Sequence, residues 1–178
     1  MSFLEDKKRI LVTGGSGFIG GEVIRKLLSD KDLCLYNLDK YSYASDNSSI
    51  NKRLSELKEN NNKYTFLKVD LADKSATAEA IDFTKPELIL HLAAESHVDR
   101  SIENPKPFIK NNIIGTINLL DSSNKYFQSL DQSRKNRFRF INISTDEVFG
   151  SINNGGFFNE DSQYNPTSPY SASKASSD

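Results

Sequence analysis

The sequence has only one cysteine among its 178 residues, Cys34, so an internal disulfide is excluded. We expect Cys34 to be a small buried apolar residue and the protein to be in a reducing, cytoplasmic compartment. No apolar run approaches the roughly 20 residues that a membrane-spanning helix needs. Residues 1–8 lead directly into a predicted strand, without the apolar core of a signal peptide. The sequence therefore predicts a protein that has no membrane partner.

An excess of charge of either sign is also absent. The 23 basic and 24 acidic side chains give a net charge of -1, which creates no general field to attract nucleic acid or an anionic membrane. A small charged ligand therefore needs a local site. No internal repeat is present, and 178 residues with 37% hydrophobic composition predict one domain over residues 1–178.

Short apolar runs alternate with longer amphipathic stretches, which is the pattern of βαβ units. The sequence therefore predicts an α/β fold with a Rossmann-type, doubly wound parallel sheet. Five strands are predicted, at 10–13, 33–38, 64–69, 87–92 and 137–144. Helices are predicted at 18–28 and 107–127, with a surface helix within 46–62. The polar and basic segment 129–136 is predicted to be a solvated loop.

A glycine-rich segment, Thr-Gly-Gly-Ser-Gly-Phe-Ile-Gly at 13–20, joins the first predicted strand to the first predicted helix. Gly14 permits a tight turn, Gly17 lets backbone N–H groups approach a pyrophosphate, and Gly20 allows close packing of helix on strand. The alternative is a glycine-rich turn that binds no ligand. Asp39 favours the first interpretation because it ends the second predicted strand, where a carboxylate holds a ribose 2′-hydroxyl. It would repel a 2′-phosphate, so NAD is predicted over NADP, although Lys40 lies next to it.

The pattern Tyr-x-x-x-Lys occurs three times, as Tyr36 with Lys40, Tyr64 with Lys68, and Tyr170 with Lys174. The first two pairs lie in predicted strands, where positions four apart are about 13 Å from each other. The third pair follows Ser168 and Pro169, which are helix-start signals, and positions four apart on a helix share one face. We expect the ammonium group to lower the pKa of the phenol, so that the tyrosine can take the proton of a sugar hydroxyl.

Residues 144–147, Ser-Thr-Asp-Glu, close the fifth predicted strand and place a hydroxyl beside two carboxylates. Thr145 can hydrogen-bond the same sugar hydroxyl as Tyr170. Adjacent carboxylates repel each other, which favours one protonated and one ionised group. We expect protonated Asp146 to give its proton to a departing hydroxyl, and ionised Glu147 to remove a carbon-bound proton beside a ketone. The alternative is a solvated turn at a strand end.

Three stretches together resemble the dTDP-glucose 4,6-dehydratase family of extended short-chain dehydrogenases. They are residues 13–20, 91–101 and 144–150, followed by the Tyr170 and Lys174 pair. The resemblance covers nearly the whole chain and corresponds to the N-terminal half of the family. It implies oxidation of a nucleotide-activated hexose at C4 by bound NAD, loss of water across C5 and C6, and return of hydride to C6.

The resemblance also implies roles for individual residues. The implied catalytic residues are Thr145, Asp146, Glu147, Tyr170 and Lys174. The implied cofactor-binding residues, which include the stretch 93–96, are Gly14, Gly17, Phe18, Ile19, Gly20, Asp39, Lys40, Asp70, Leu71, Leu92, Ala93, Ala94, Ser96, Asn111, Tyr170 and Lys174. Ser96 and Thr145 would also bind the substrate. His91 and His97 have no Cys or carboxylate cluster at ligand spacing, so no metal is expected.

Members of this family are longer and have a C-terminal substrate domain. We therefore expect a chain that ends within the Tyr170 helix, lacks that domain, binds NAD and has impaired activity, and a homodimer for the full-length form. Two other functions stay open, namely a non-catalytic NAD-binding module and a nucleotide-sugar 4-epimerase. An epimerase needs Thr145, Tyr170 and Lys174 but not the acid–base pair, so a Glu147→Gln variant separates an epimerase from a dehydratase.

Overall fold

A parallel sheet of five strands forms the centre of the protein. The computed structural model describes residues 8–30, 32–57, 63–152 and 155–178. The strands are β1 (Arg9–Thr13), β2 (Cys34–Asp39), β3 (Tyr64–Lys68), β4 (Leu88–His91) and β5 (Arg139–Asn142). Their order is β3-β2-β1-β4-β5, and every pairing is parallel. The five predicted strands and the doubly wound topology are therefore confirmed, with the switch point between β1 and β4, where such folds bind ligands.

Helices connect the strands and cover both faces of the sheet. They are α1 (Phe18–Leu27), α2 (Ser48–Glu56), α3 (Lys74–Thr84), α4 (Val98–Glu103), α5 (Lys106–Phe108), α6 (Gly115–Ser129), α7 (Gln132–Arg137) and α8 (Pro169–Ala175). A π-helical segment, Ile109–Ile114, joins α5 to α6, and a 3-10 helix covers Asp146–Phe149. The predicted helices at 18–28 and 107–127 are confirmed. The surface helix predicted within 46–62 is confirmed as α2, while 58–62 and the N-terminal residues 1–7 lie outside the described residues.

The core consists of two apolar clusters on opposite faces of the sheet. Ile10 and Val12 of β1 pack in the cluster that includes Ile24 of α1. The residue between them, Leu11, packs in the other cluster with Leu119 of α6. All five side chains are fully buried, and burying each contributes about 1.5–3 kcal/mol. The alternation follows from the period of two along a strand, and burial on both faces explains why β1 is apolar at successive positions.

The prediction of a solvated loop at 129–136 is wrong, because most of this segment is helical. Helix α7 starts after Asp131, whose side chain accepts a hydrogen bond of 2.9 Å from the backbone N–H of Arg134. The basic residues lie in its last turn, where cations interact favourably with the carbonyl end of a helix. The N-cap and the position of these charges stabilise this short helix, none of whose own residues is buried.

The burial predicted for Cys34 is also wrong. Its side chain is free and only partly buried, because it occupies the first position of β2, opposite Arg9 at the N-terminal edge of the sheet. Among the residues that the structure describes, no helix has both the length and the apolar character needed to cross a membrane.

Candidate active site

The turn between β1 and α1 has a geometry that requires glycine at two of its positions. Gly14 has a φ of +69°, and a Cβ added there would lie 2.6 Å from the backbone Cα of Ala93. A Cβ added at Gly20 would collide with the carbonyl oxygen of Gly14. The turn is held to the sheet by a 2.8 Å hydrogen bond from the Gly14 N–H to the carbonyl oxygen of Leu38. The missing side chains leave room for a ligand at the start of α1, where no side chain caps the helix.

The carboxylate of Asp39 lies at the end of β2 and is 7% exposed. One of its oxygens accepts a hydrogen bond of 3.1 Å from the backbone N–H of Ser16, in the glycine-rich turn. The other accepts bonds from the backbone N–H of Tyr41, at 2.7 Å, and the hydroxyl of Ser45, at 2.9 Å. Asp39 therefore joins the turn to the loop after β2. Because each carboxylate oxygen accepts about two hydrogen bonds, the oxygen bonded to Ser16 retains an acceptor position for a hydroxyl group.

A cavity of about 390 Å³ lies at the carboxyl ends of the strands. Every residue predicted to bind the cofactor lines it, from Gly14 in the turn to Lys174 in α8. The volume falls in the usual range for sites of organic ligands, about 300–1,000 Å³. The size, the glycine turn and the Asp39 carboxylate together fit a dinucleotide.

The loop after β2 also lines the cavity, and the sequence-based prediction missed it beyond Lys40. The missed residues of this loop are Ser42, Tyr43, Ala44 and Ser45. Their position directly after Asp39 was the available signal, because loops that follow the strands of such sheets form the ligand site. Tyr43 is well exposed, and the guanidinium carbon of Arg100 lies 3.9 Å from its ring centroid.

The buried side chain of His91 links three elements below the cavity. Its Nδ1 lies 2.6 Å from the hydroxyl of Thr13 in β1, and its Nε2 lies 2.8 Å from the hydroxyl of Thr116 in α6. Burial, together with a smaller effect of the positive charge of Lys174, lowers the pKa of His91 to about 3. The Thr13 hydroxyl also accepts a bond of 3.3 Å from the backbone N–H of Ala93. A neutral histidine therefore supports the wall of the cavity at the end of β4.

The π-helical segment fixes the loop after β4. The buried amide of Asn112 accepts a bond of 2.7 Å from the Glu95 N–H and donates one of 2.9 Å to the Glu95 carbonyl oxygen. It donates another, of 2.8 Å, to the hydroxyl of Ser173 in α8. Its neighbour Asn111 lines the cavity. π-Helical turns inside α-helices are frequently found at functional sites, and this one places adjacent residues against the loop and the cavity.

Helix α8 begins where the sequence predicts, at Ser168 and Pro169. The Ser168 side chain accepts a bond of 3.0 Å from the backbone N–H of Ser171, and the two residues form a capping box. Tyr170 and Lys174 of this helix both line the cavity. The two other Tyr-x-x-x-Lys pairs start in strands β2 and β3, as predicted. The helix thus brings only the third pair together on one face.

The electrostatics around Tyr170 correct one expectation. Burial raises the pKa of Tyr170, the Glu147 and Asp146 carboxylates raise it further, and a hydrogen bond with Thr145 lowers it by less. Lys174 is not among the groups that lower it, and its ammonium group donates a bond of 2.7 Å to the carbonyl oxygen of Ile143. Burial lowers the pKa of Lys174 itself, against the opposite effect of the Asp178 carboxylate. The prediction that Lys174 lowers the pKa of the phenol is therefore wrong for this structure.

The two carboxylates of the Ser-Thr-Asp-Glu segment lie on the 3-10 helix after β5. Thr145 is its N-cap, and the hydroxyl accepts a bond of 3.3 Å from the Glu147 N–H. Asp146 is exposed and Glu147 is partly buried. Neither carboxylate lines the cavity, but both act electrostatically on Tyr170, which does. The structure thus brings the phenol, the Thr145 hydroxyl and the acidic pair into one region.

Metal binding has no support in the arrangement of side chains. Among residues 8–30, 32–57, 63–152 and 155–178, no group of three or more His, Cys, Asp or Glu side chains is positioned to hold a metal ion.

The doubly wound parallel sheet and the glycine turn at its switch point define a Rossmann-type α/β domain. Residues 11–178 match the family model described as GDP-mannose 4,6 dehydratase. The chain belongs to this family.

Individual relatives agree with this assignment. The chain is 46% identical to the dTDP-glucose 4,6-dehydratase of Escherichia coli over 179 residues, which cover 96% of the chain and 48% of the relative. Among solved structures, the dTDP-glucose 4,6-dehydratase of Streptomyces venezuelae with NAD and TYD bound has a TM-score of 0.78 at 35% identity, over 95% of this chain and 49% of that one. A UDP-Glc/GlcNAc 4-epimerase of Campylobacter jejuni has a TM-score of 0.80 at 27% identity, over 96% and 46%. The chain spans about half the length of the curated relatives that it matches.

Proposed function

We propose that this chain is the cofactor-binding part of an NAD-dependent nucleotide-sugar 4,6-dehydratase, which converts dTDP-glucose to dTDP-4-keto-6-deoxy-glucose, and that it carries the catalytic groups. The observation that carries the proposal is the acidic pair at Asp146 and Glu147, near enough to Tyr170 to raise its pKa. Oxidation at C4 needs a hydroxyl and a phenol, which Thr145 and Tyr170 supply. The elimination of water needs an acid and a base in addition.

NAD supplies the hydride acceptor when it is bound, and the cavity residues would hold it. The glycine turn and the start of α1 would bind the diphosphate. Asp39 would accept a hydrogen bond from a ribose hydroxyl through the oxygen that is bonded to Ser16. Lys174 and Tyr170 of α8 also line the cavity.

The chain's own groups then move the protons of the reaction. Tyr170 takes the proton of the sugar C4 hydroxyl, which Thr145 holds by a hydrogen bond. Glu147 removes the C5 proton, which the new ketone makes acidic, and Asp146 protonates the departing C6 hydroxyl so that it leaves as water. Ser96, at the cavity wall, would contact the sugar.

The first test is binding of NAD to the purified 178-residue chain, measured by isothermal titration calorimetry. We expect saturable binding with one site. A folded chain, verified by circular dichroism, that gives no heat of binding would refute the proposed cofactor site.

The second test follows dTDP-glucose by mass spectrometry, with protein in excess over substrate so that slow chemistry is also detected. A dehydratase gives a product that has lost one water. An epimerase gives an isomer of unchanged mass, and a non-catalytic module leaves the substrate as it was. Unchanged substrate with NAD bound would refute dehydration by this chain and favour the module.

The Glu147→Gln variant separates the two enzymes further. In a dehydratase, the variant loses elimination, because the amide cannot accept the C5 proton. In an epimerase, which needs only Thr145, Tyr170 and Lys174, it keeps most of its rate. The structure resembles that of an epimerase in its fold. The acidic pair, Asp146 and Glu147, favours the dehydratase.

We also propose that the protein forms a homodimer through the helical region 109–120. Four large apolar residues there are each 42–50% exposed, namely Ile109, Ile114, Ile117 and Leu120. Exposed apolar patches of this kind mark association surfaces.

A further inference from the structure

The cavity contains a lysine beside the carboxylate that would bind the ribose. Lys40 directly follows Asp39, and both line the cavity. The other lysine among the described lining residues, Lys174, lies in α8 and donates to the Ile143 carbonyl oxygen. A cation next to the ribose carboxylate is the usual means of accepting the 2′-phosphate of NADP. The position of Lys40 alone therefore leaves the choice between NAD and NADP open.

The ammonium group of Lys40 is engaged elsewhere in this structure. Its Nζ lies 2.6 Å from Oε1 of Glu95, which also lines the cavity. The same oxygen accepts a bond of 3.2 Å from the side-chain amide of Asn111. The side chain of Glu95 is 13% exposed and that of Lys40 is 32% exposed, so the pair is only partly screened by water. The lysine is held toward the loop after β4.

The backbone of Glu95 is fixed as well. The amide of Asn112, which is 1% exposed, bonds both the N–H and the carbonyl oxygen of this residue. Drawing Lys40 away would leave a carboxylate of low exposure without its cation, which is unfavourable. The ion pair between Lys40 and Glu95 therefore prevents Lys40 from binding a phosphate group.

The Asp39 carboxylate also disfavours a phosphate group at the ribose 2′-position. Its three backbone and hydroxyl donors, from Ser16, Tyr41 and Ser45, keep the carboxylate in place and leave room for a hydroxyl donor. A 2′-phosphate at this position would face the Asp39 carboxylate, with Lys40 already paired to a second one.

We propose that Glu95 is a specificity-determining residue, which selects NAD over NADP by holding the Lys40 ammonium away from the ribose 2′-position. This inference rests on the proposed NAD site. Two carboxylates that follow different strands would then disfavour NADP. Asp39 repels the 2′-phosphate, and Glu95 holds the Lys40 ammonium group that could otherwise offset this repulsion.

The test measures the dissociation constants of NAD and NADP by calorimetry for the wild type and for Glu95→Gln. The glutamine keeps the size of the side chain and an acceptor for Asn111 but releases the ammonium group. We expect the affinity ratio to shift toward NADP by about tenfold or more, the effect of gaining one hydrogen bond to a charged group. The double variant Lys40→Met with Glu95→Gln should lose that gain. Glu103→Gln, which removes an exposed carboxylate from α4, is the matched control and should keep the wild-type ratio.

A ratio within about twofold of the wild type in Glu95→Gln, with NAD still bound, would overturn the inference. The variant Glu95→Ala, which also releases the Lys40 ammonium group, gives a second readout that does not depend on the folding of Glu95→Gln. Its affinity ratio should shift toward NADP as well, and an unchanged ratio with NAD still bound would overturn the inference. Absence of NAD binding in the folded wild type would instead contradict the proposed function.

Discussion

Tyr170 has a phenol group whose pKa depends strongly on the neighbouring side chains. Burial and the Glu147 and Asp146 carboxylates hold its pKa above the ordinary value, so the neutral phenol predominates at neutral pH. A base that must lose a proton first gains activity as the pH rises toward its pKa. The two carboxylates that we propose for the elimination therefore oppose the loss of the Tyr170 proton.

We predict that Glu147→Gln lowers the pKa of Tyr170, because the carboxylate is the strongest raising influence after burial. The measurement is an NMR titration of labelled tyrosine rings, with the Tyr170 signal assigned from Tyr170→Phe. Glu103→Gln serves as the control for a general loss of negative charge and should leave the titration unchanged. An unchanged or higher pKa in Glu147→Gln would show that the carboxylate does not face the phenol.

A second prediction at the residue scale concerns His91. Its folded pKa of about 3 lies below the unfolded value of about 6.5. The unfolded chain therefore binds the proton first, so the stability from neutral His91 is complete above about pH 6.5 and is lost as the pH falls toward about 3. We expect this group to contribute a slope of at most about 1.4 kcal/mol per pH unit.

The slope is measured as the difference in the free energy of unfolding between the wild type and His91→Gln, from urea titrations at several pH values. The advantage of the wild type should shrink as the pH falls. The other histidine, the exposed His97, provides the control, and His97→Gln should follow the wild-type curve. A difference independent of pH would mean that His91 titrates alike in both states.

At the scale of elements, the π-helical segment connects the loop after β4 with α8. We predict that Asn112→Ala lowers the free energy of unfolding by about 1–3 kcal/mol, because it leaves the partly buried N–H of Glu95 without its acceptor. NAD affinity should fall as well, since Glu95 and Ser173 both lose a partner. Chemical denaturation and calorimetry measure the two effects. The exposed Asn124→Ala on α6 should change stability by no more than about 0.5 kcal/mol, and equal losses in both variants would contradict the proposed connection.

The elements also differ in how far the sequence could predict them. The five strands and α8 could be predicted because apolar runs and the Ser168–Pro169 start are local signals. Helix α7 could not, because its polar composition resembles a loop and its N-cap at Asp131 is a single hydrogen bond. The pairing of Lys40 with Glu95 joins residues 55 positions apart, and no local pattern encodes such a contact.

At the scale of the whole molecule, the arrangement of the candidate site follows from the parallel topology. Motifs that follow successive strands must meet at one edge, so the cavity lining could be predicted from the sequence together with the family resemblance. The position of Asp146 and Glu147 outside the lining could not, since it depends on the 3-10 helix that turns the chain after β5.

The proposed dimer gives a prediction at this scale. Ile117→Glu should shift the protein toward the monomer in analytical ultracentrifugation, because a carboxylate in an apolar interface loses its hydration. Ile152→Glu introduces the same change at a residue of similar exposure in the loop after the 3-10 helix and should leave association unchanged. A wild-type protein that stays monomeric at all concentrations tested would refute the dimer for this chain.

The residues that line the cavity extend along the sequence from Gly14 to Lys174. Strand β1 pairs with β4, which begins at Leu88. During synthesis, a growing polypeptide therefore has no complete pocket until almost all of these 178 residues have left the ribosome. Capture of the nucleotide by a nascent chain would mark the moment at which this pocket is complete.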